Sequence, residues 1–166
     1  MRVLGIDPSS RATGYGIIES EGGAVSVLGY GAIRPSRRDT LPVKLLRIRT
    51  DLGGLIRRFE PEEIAVENPF LSRNIKTAIT LGQVRGAVLV AAAESGRPLF
   101  EYSPLEIKKA VTGYGQADKA QVATMIRTLL GLRDEAPDED ASDALACAHC
   151  HLHTRLFQLN LERSSR

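Results

Sequence analysis

Asp7, Glu67, Asp140 and Asp143 are acids standing where a fold can gather them. Asp7 closes the apolar run Val3-Leu4-Gly5-Ile6, and Glu67 closes Glu63-Ile64-Ala65-Val66. Asp140 and Asp143 are three residues apart in a helix-forming segment, which sets them on one face. Phosphodiester hydrolysis needs an activated water and a stabilised leaving oxygen. Two hard divalent ions such as magnesium, ~3.5–4 Å apart on oxygen ligands, can serve both. Acids brought together this way repel one another unless a cation sits among them, so the expected chemistry is that of a metal-dependent nuclease with two ions per site. Each acid alone has an ordinary explanation. Asp7-Pro8-Ser9-Ser10 can start a turn, Glu67 can be a surface acid, and the acids from Asp138 to Asp143 suit the positive end of a helix. The conjunction carries the reading.

The elements that must position these acids can be traced by periodicity. Val3 to Asp7, Thr13 to Ile18 and Val25 to Ile33 read as three strands, with Gly22-Gly23 turning between the last two, hence an antiparallel meander. Leu41, Leu45, Ile48, Leu52, Leu55 and Phe59 recur at steps of four and three, which predicts an amphipathic helix ended near Pro61. Glu63 to Glu67 reads as a buried strand, Ile75 to Glu94 as a second helix stopped near Gly96-Arg97-Pro98, and Leu99 to Tyr102 as a fifth strand. Helical pieces follow from Pro104, from Lys119 to Leu130, and from about Pro137 to Leu156. The expected fold is α/β, a five-stranded mixed sheet flanked by helices, with the first strands antiparallel and the later ones parallel. Ligand sites in such layered folds collect at strand ends.

Bulk properties fit one folded unit, expected over residues 1–156 with a flexible tail over 157–166. The chain has 166 residues, 43% hydrophobic and 25% charged, with a net charge of +2. No apolar run reaches the ~18 residues of a membrane span, and the N-terminus is too quickly charged for a signal peptide, so a cytoplasmic location is expected. The small net charge says little of a nucleic-acid partner; the distribution says more. Arg34, Arg37 and Arg38 form one basic group, Arg47, Arg49, Arg57 and Arg58 another, and the acids concentrate at 134–143.

Several stretches together resemble the RuvC Holliday-junction resolvases. They are Gly5-Ile6-Asp7-Pro8, Thr13-Gly14-Tyr15-Gly16, Val66-Glu67-Asn68-Pro69-Phe70, Gly113 to Val122, and Asp140-Ala141-Ser142-Asp143-Ala144-Leu145-Ala146. The likeness runs from Met1 to about His151. It implies a ribonuclease-H-like fold, a homodimer, and magnesium- or manganese-dependent nicking of four-way junction DNA in recombination and repair. Work beside a junction-binding and branch-migration complex of the RuvA and RuvB type is implied as well. It places metal-binding carboxylates at Asp7, Glu67, Asp140 and Asp143, some relatives having His at the position of Asp140. Lys108 and Lys119 would contact DNA near the scissile phosphate, and Phe70 would stack on or wedge between bases. Arg73 and Lys76 join them as candidate DNA contacts. From the residues alone, a lysine near a phosphate can offset charge developing in the transition state, and Phe70 beside Leu71 and Arg73 is either a stacking platform or a core aromatic.

Ala78, Gly82 and Gly86 fall one helical turn apart. Such a stripe lets a second helix approach closely, across a dimer interface or against the chain's own sheet. Cys147-Ala148-His149-Cys150-His151 matches a haem-attachment pattern, and with His153 could suggest zinc. The run sits in a helix with Cys147 on the stripe of Asp140, Asp143 and Ala144, so reduced core cysteines are expected instead. Two other functions compete. An actin-like phosphotransferase also opens with a strand, an Asp and a glycine hairpin, but this chain is short for two such halves. A silent junction-binding module would be hindered by four acids.

Overall fold

A computed structural model of the chain describes residues 1–68, 74–132 and 136–164. Three strands open it: β1 (Arg2–Asp7), β2 (Thr13–Glu21) and β3 (Ala24–Ile33). They form the expected meander, β1 antiparallel to β2 and β2 to β3. Gly22 and Gly23 both take positive φ in the β2–β3 turn, a conformation open to glycine at little cost. β2 runs three residues beyond Ile18 because it pairs with β3 as far as Glu21↔Ala24.

Helix α1 (Leu41–Phe59) has the bounds its periodicity predicts and buries Ile48, Leu52 and Ile56. β4 (Glu63–Glu67) follows, then α2 (Ile75–Ser95) and β5 (Leu99–Tyr102). β4 lies parallel to β1 and β5 parallel to β4, giving the order β3-β2-β1-β4-β5. The chain ends in α3 (Pro104–Thr112), α4 (Lys119–Leu129) and α5 (Glu139–Ser164).

Two apolar layers hold the helices to the sheet. On one face Leu4, Ile6, Ile17, Ile64 and Val66 pack against Ile48, Leu52, Val84 and Val88 of α1 and α2. On the other, Val3, Ile18 and Ala65 pack against α3, α4 and the buried run of α5 around Leu145–Ala148. α5 continues to Ser164, eight residues past Leu156, so helix stands where the tail was expected to begin. No Gly or Pro interrupts residues 139–164, and Leu, Gln, Glu and Arg near its end are good helix formers. α2 is apolar enough by length and composition to cross a membrane, with a mean hydropathy of 1.2. It also carries Lys76, Arg85 and Glu94 and buries Val84, Val88, Ala91 and Ala92 in the core. Its apolarity covers two faces, one turned to the sheet and one turned outward.

A candidate active site of half-buried carboxylates

Strand alternation explains how the first two acids meet. Val3, Gly5 and Asp7 point to the α5 side of β1, and Glu63, Ala65 and Glu67 to the same side of β4. The register pairs Val3 with Glu63 and Gly5 with Ala65; carried two residues on, it sets Asp7 beside Glu67.

α5 then brings Asp143 over them, and glycines permit the approach. A Cβ at Gly14 would run into the carbonyl oxygen of Asp140, and one at Gly5 into that of Ala144. Gly16 faces Leu145 in the same way. Gly5, Gly14 and Gly16 are thus a smooth seat for the start of α5, a role hidden in the sequence, where they read as strand and hairpin glycines.

Asp7, Glu67 and Asp143 line one cavity of about 280 Å3 together with Lys108 and Lys119. Both lysines are carried by helices whose starts are capped. Ser103 and Glu106 make a capping box at α3, and Asp118 and Gln121 make one at α4, where Lys119 is the first helical residue. Lys119 Nζ lies 2.6 Å from Glu139 Oε1 and 3.3 Å from Asp143 Oδ2. Asp140 does not line the cavity: its Oδ2 is 3.2 Å from Arg34 Nη2, which also lies 2.5 Å from Asp138 Oδ2. Three of the four expected acids therefore share a cavity, and the fourth stands at its side in a clamp. The Arg34 contact spans 106 residues to Asp140, beyond any local sequence signal.

Confinement raises the proton affinity of the three. Burial, then the neighbouring charge of Asp143, pushes Asp7 up to about 7. Burial, then Asp7 and Asp143, pushes Glu67 up to about 8. Asp143 rises through burial, opposed by Lys119, whose own proton is held more firmly by Glu139 and Asp143. Asp140 rises through burial and Asp138, opposed by Arg34. A set of hard oxygen donors that repel one another suits a divalent ion, which would displace their protons. As the side chains stand, no three His, Cys, Asp or Glu among the described residues are gathered tightly enough to hold an ion. Asp140 is engaged by Arg34 and Asp143 by Lys119.

The remaining candidates are dispersed. Lys76 lines a separate basic cleft with Arg11, Arg34, Arg37 and Lys44. Phe70 and Arg73 lie outside the described residues. A Cβ at Gly82 or Gly86 would meet nothing within 4 Å, so that stretch of α2 faces open space and not its own sheet. Cys147 and Cys150 are buried free thiols, and burial raises both pKa values, Cys150 to about 12. His151 is fully buried, its Nδ1 2.7 Å from Tyr102 Oη and its Nε2 2.6 Å from Glu63 Oε2.

The pattern that describes crossover junction endodeoxyribonuclease RuvC matches residues 3–151. A protein of that name from Syntrophomonas wolfei is 46% identical over 99% of this chain and 96% of its own length. The chain belongs to the RuvC family. Another RuvC, from Magnetococcus marinus, is 47% identical over 93% of this chain and 86% of its own. The structure of Thermus thermophilus RuvC in complex with a Holliday junction substrate superposes with a TM-score of 0.87 at 37% identity, covering 93% of this chain and 94% of that one. The yeast mitochondrial Holliday junction resolvase shares the fold, with a TM-score of 0.61 at 14% identity. The ribonuclease-H-like architecture of RuvC is thus the one this chain adopts, and its activity is that of a crossover junction endodeoxyribonuclease.

Proposed function

We propose that the chain resolves four-way DNA junctions as a homodimer, by paired nicks of like-polarity strands at the Asp7–Glu67–Asp143 cavity. The observation that carries this is the cavity itself, in which three acids from β1, β4 and α5 meet two lysines. Asp7, Glu67 and Asp143 would hold the divalent ion or ions, magnesium or manganese, with Asp140 completing the set. Bound there, the metal supplies Lewis-acid charge at the scissile phosphate.

The chain's own groups do the rest. Lys108 and Lys119 border the cavity and offset negative charge as it builds on the phosphate. Lys119, tied to Glu139 and Asp143, is positioned before substrate arrives. Phe70, three residues beyond Glu67, is assigned the stacking role at the crossover, with Arg73 as a backbone contact. The outward face of α2 supports the dimer. Ile75, Ile79 and Val90 are exposed there at 77, 59 and 51%, beside the open Gly82 and Gly86 and near Ala78. Two such helices packed about a two-fold axis would present two equivalent cavities, which suits paired cuts. The reduced, buried cysteines accord with cytoplasmic work, beside branch-migration partners of the RuvA and RuvB type.

A synthetic four-way junction with labelled strands tests the reading. Symmetric nicks that need Mg2+ or Mn2+ and disappear in Asp7→Asn, with junction binding kept, are the expected result. Binding with no cleavage under any divalent ion would overturn it. Sedimentation at working concentration should show a dimer, lost in Gly82→Glu.

A further inference from the structure

Beside the acidic cavity lies a cleft of opposite sign. Arg11, Arg34, Arg37, Lys44 and Lys76 line its volume of about 910 Å3, and among the described residues no acid lines it. Its walls are the turn after Asp7, the chain leaving β3 and the first turns of α1 and α2. It therefore opens at the same end of the sheet as Asp7. Among the described residues, Arg11, Arg37, Lys44 and Lys76 have no carboxylate at ion-pair distance. Like charges left together in this way are relieved by a polyanion, and a strand of DNA phosphates is one.

Arg34 belongs to both places. It lines the cleft, and its Nη2 is shared between Asp138 Oδ2 at 2.5 Å and Asp140 Oδ2 at 3.2 Å. The guanidinium side chain is half exposed, at 50%, and exposed ion pairs are weak. A guanidinium also binds phosphate through a two-pronged fork, which a phosphate in the cleft can complete and a shared Nη2 contact does not. We propose that this cleft seats the phosphodiester backbone of a DNA arm, and that Arg34, turning from Asp138 and Asp140 to a seated phosphate, frees Asp140 for the metal site. The inference rests on the junction-nuclease reading above. Arg34 is then a positioning residue that links strand seating to metal-site assembly. DNA and metal must each tighten the binding of the other by the same factor.

The test is calorimetric titration of Mn2+ into the full chain, alone and saturated with a linear duplex that fills the cleft without presenting a crossover. Duplex is expected to tighten Mn2+ binding about fivefold or more in the native protein. Arg34→Ala should bind Mn2+ without DNA nearly as tightly as the native protein does with it, and the gain from duplex should fall below about twofold. Arg37→Ala should weaken duplex binding and leave DNA-free Mn2+ affinity unchanged. The proposal falls if Arg34→Ala leaves both affinity and coupling as they were. It falls equally if Arg37→Ala tightens DNA-free Mn2+ binding as much as Arg34→Ala, since bulk charge then accounts for the effect. Junction nicking by the same native preparation separates the two readings: absent nicking sinks the nuclease reading, whereas the titrations alone decide the coupling.

Discussion

Glu63 and Glu67 sit on the same strand and the same face, four residues apart, yet their surroundings differ completely. Glu63 accepts from Arg155 through both oxygens, Nε at 3.1 Å and Nη2 at 3.1 Å, and lies 2.6 Å from the buried His151. His151 is in turn joined to Tyr102, so Glu63, Arg155, His151 and Tyr102 form one connected network at that end of β4. Glu67 meets Asp7 and Asp143, and is driven up to about 8 first by burial and then by their charge. One end of the strand spends its acid on holding α5 to the sheet. The other leaves its acid frustrated, a condition a bound cation relieves, and frustration of that kind marks functional sites.

The contrast can be broken from the satisfied end. Glu63→Ala would strand a 30%-exposed Arg155 and a fully buried His151. A loss of about 3 kcal/mol in chemical-denaturation stability is expected, with junction cleavage surviving wherever the chain is folded. A change below ~1 kcal/mol would mean that the network is ornamental.

Glu67→Gln should act in the opposite direction. It removes a carboxylate held against its preference, so the metal-free protein at pH 8–9 should gain about 1–3 kcal/mol while cleavage is lost. Destabilisation in that variant would contradict the frustration assigned to the cavity.

The smallest effect is a dependence on pH. With Asp7 at about 7 and Glu67 at about 8 when folded, and their ordinary values of 3.8 and 4.5 when unfolded, the folded state binds more protons between these limits. Their contribution is fully present below about pH 4 and is lost as pH rises through 7 to 8. His151 opposes this on the acid side: burial lowers its pKa, so stability from that group rises as pH climbs towards 6.5. Melting of the chelator-treated protein should therefore fall from pH 6.5 to 9, and saturating Mg2+ should flatten the fall. A melting curve that rises over that interval without metal would refute the assignment.

Much of this could be read in one dimension because the signals are local. α1 kept its predicted bounds since a strict apolar period leaves a helix one buried face. Asp7 and Glu67 were legible as acids ending apolar strands, and the capping residues around Lys119 are visible as Asp118 and Gln121. The reach of α5 to Ser164 was missed because a polar helix end carries no apolar period to follow. The cysteines were rightly expected as core thiols, but the tie of His151 to Glu63 and Tyr102 could not be read from the run, since those partners lie 88 and 49 residues away.

The sequence by itself determined the element order, the strand-end acids and, through its motifs, the family. Each depends on neighbours within a turn or a strand, or on residue identity alone. Tertiary structure decided which acids share a cavity and which of them a cation holds. Arg34 reaches Asp138 and Asp140 across more than a hundred residues, and Lys119 reaches Asp143 across 24. Electrostatic energy depends on separation in space and on burial, and neither is written in spacing along the chain. The glycines of β1 and β2 join the two levels. They are plain in the sequence, but their purpose appears only when α5 lies down upon them.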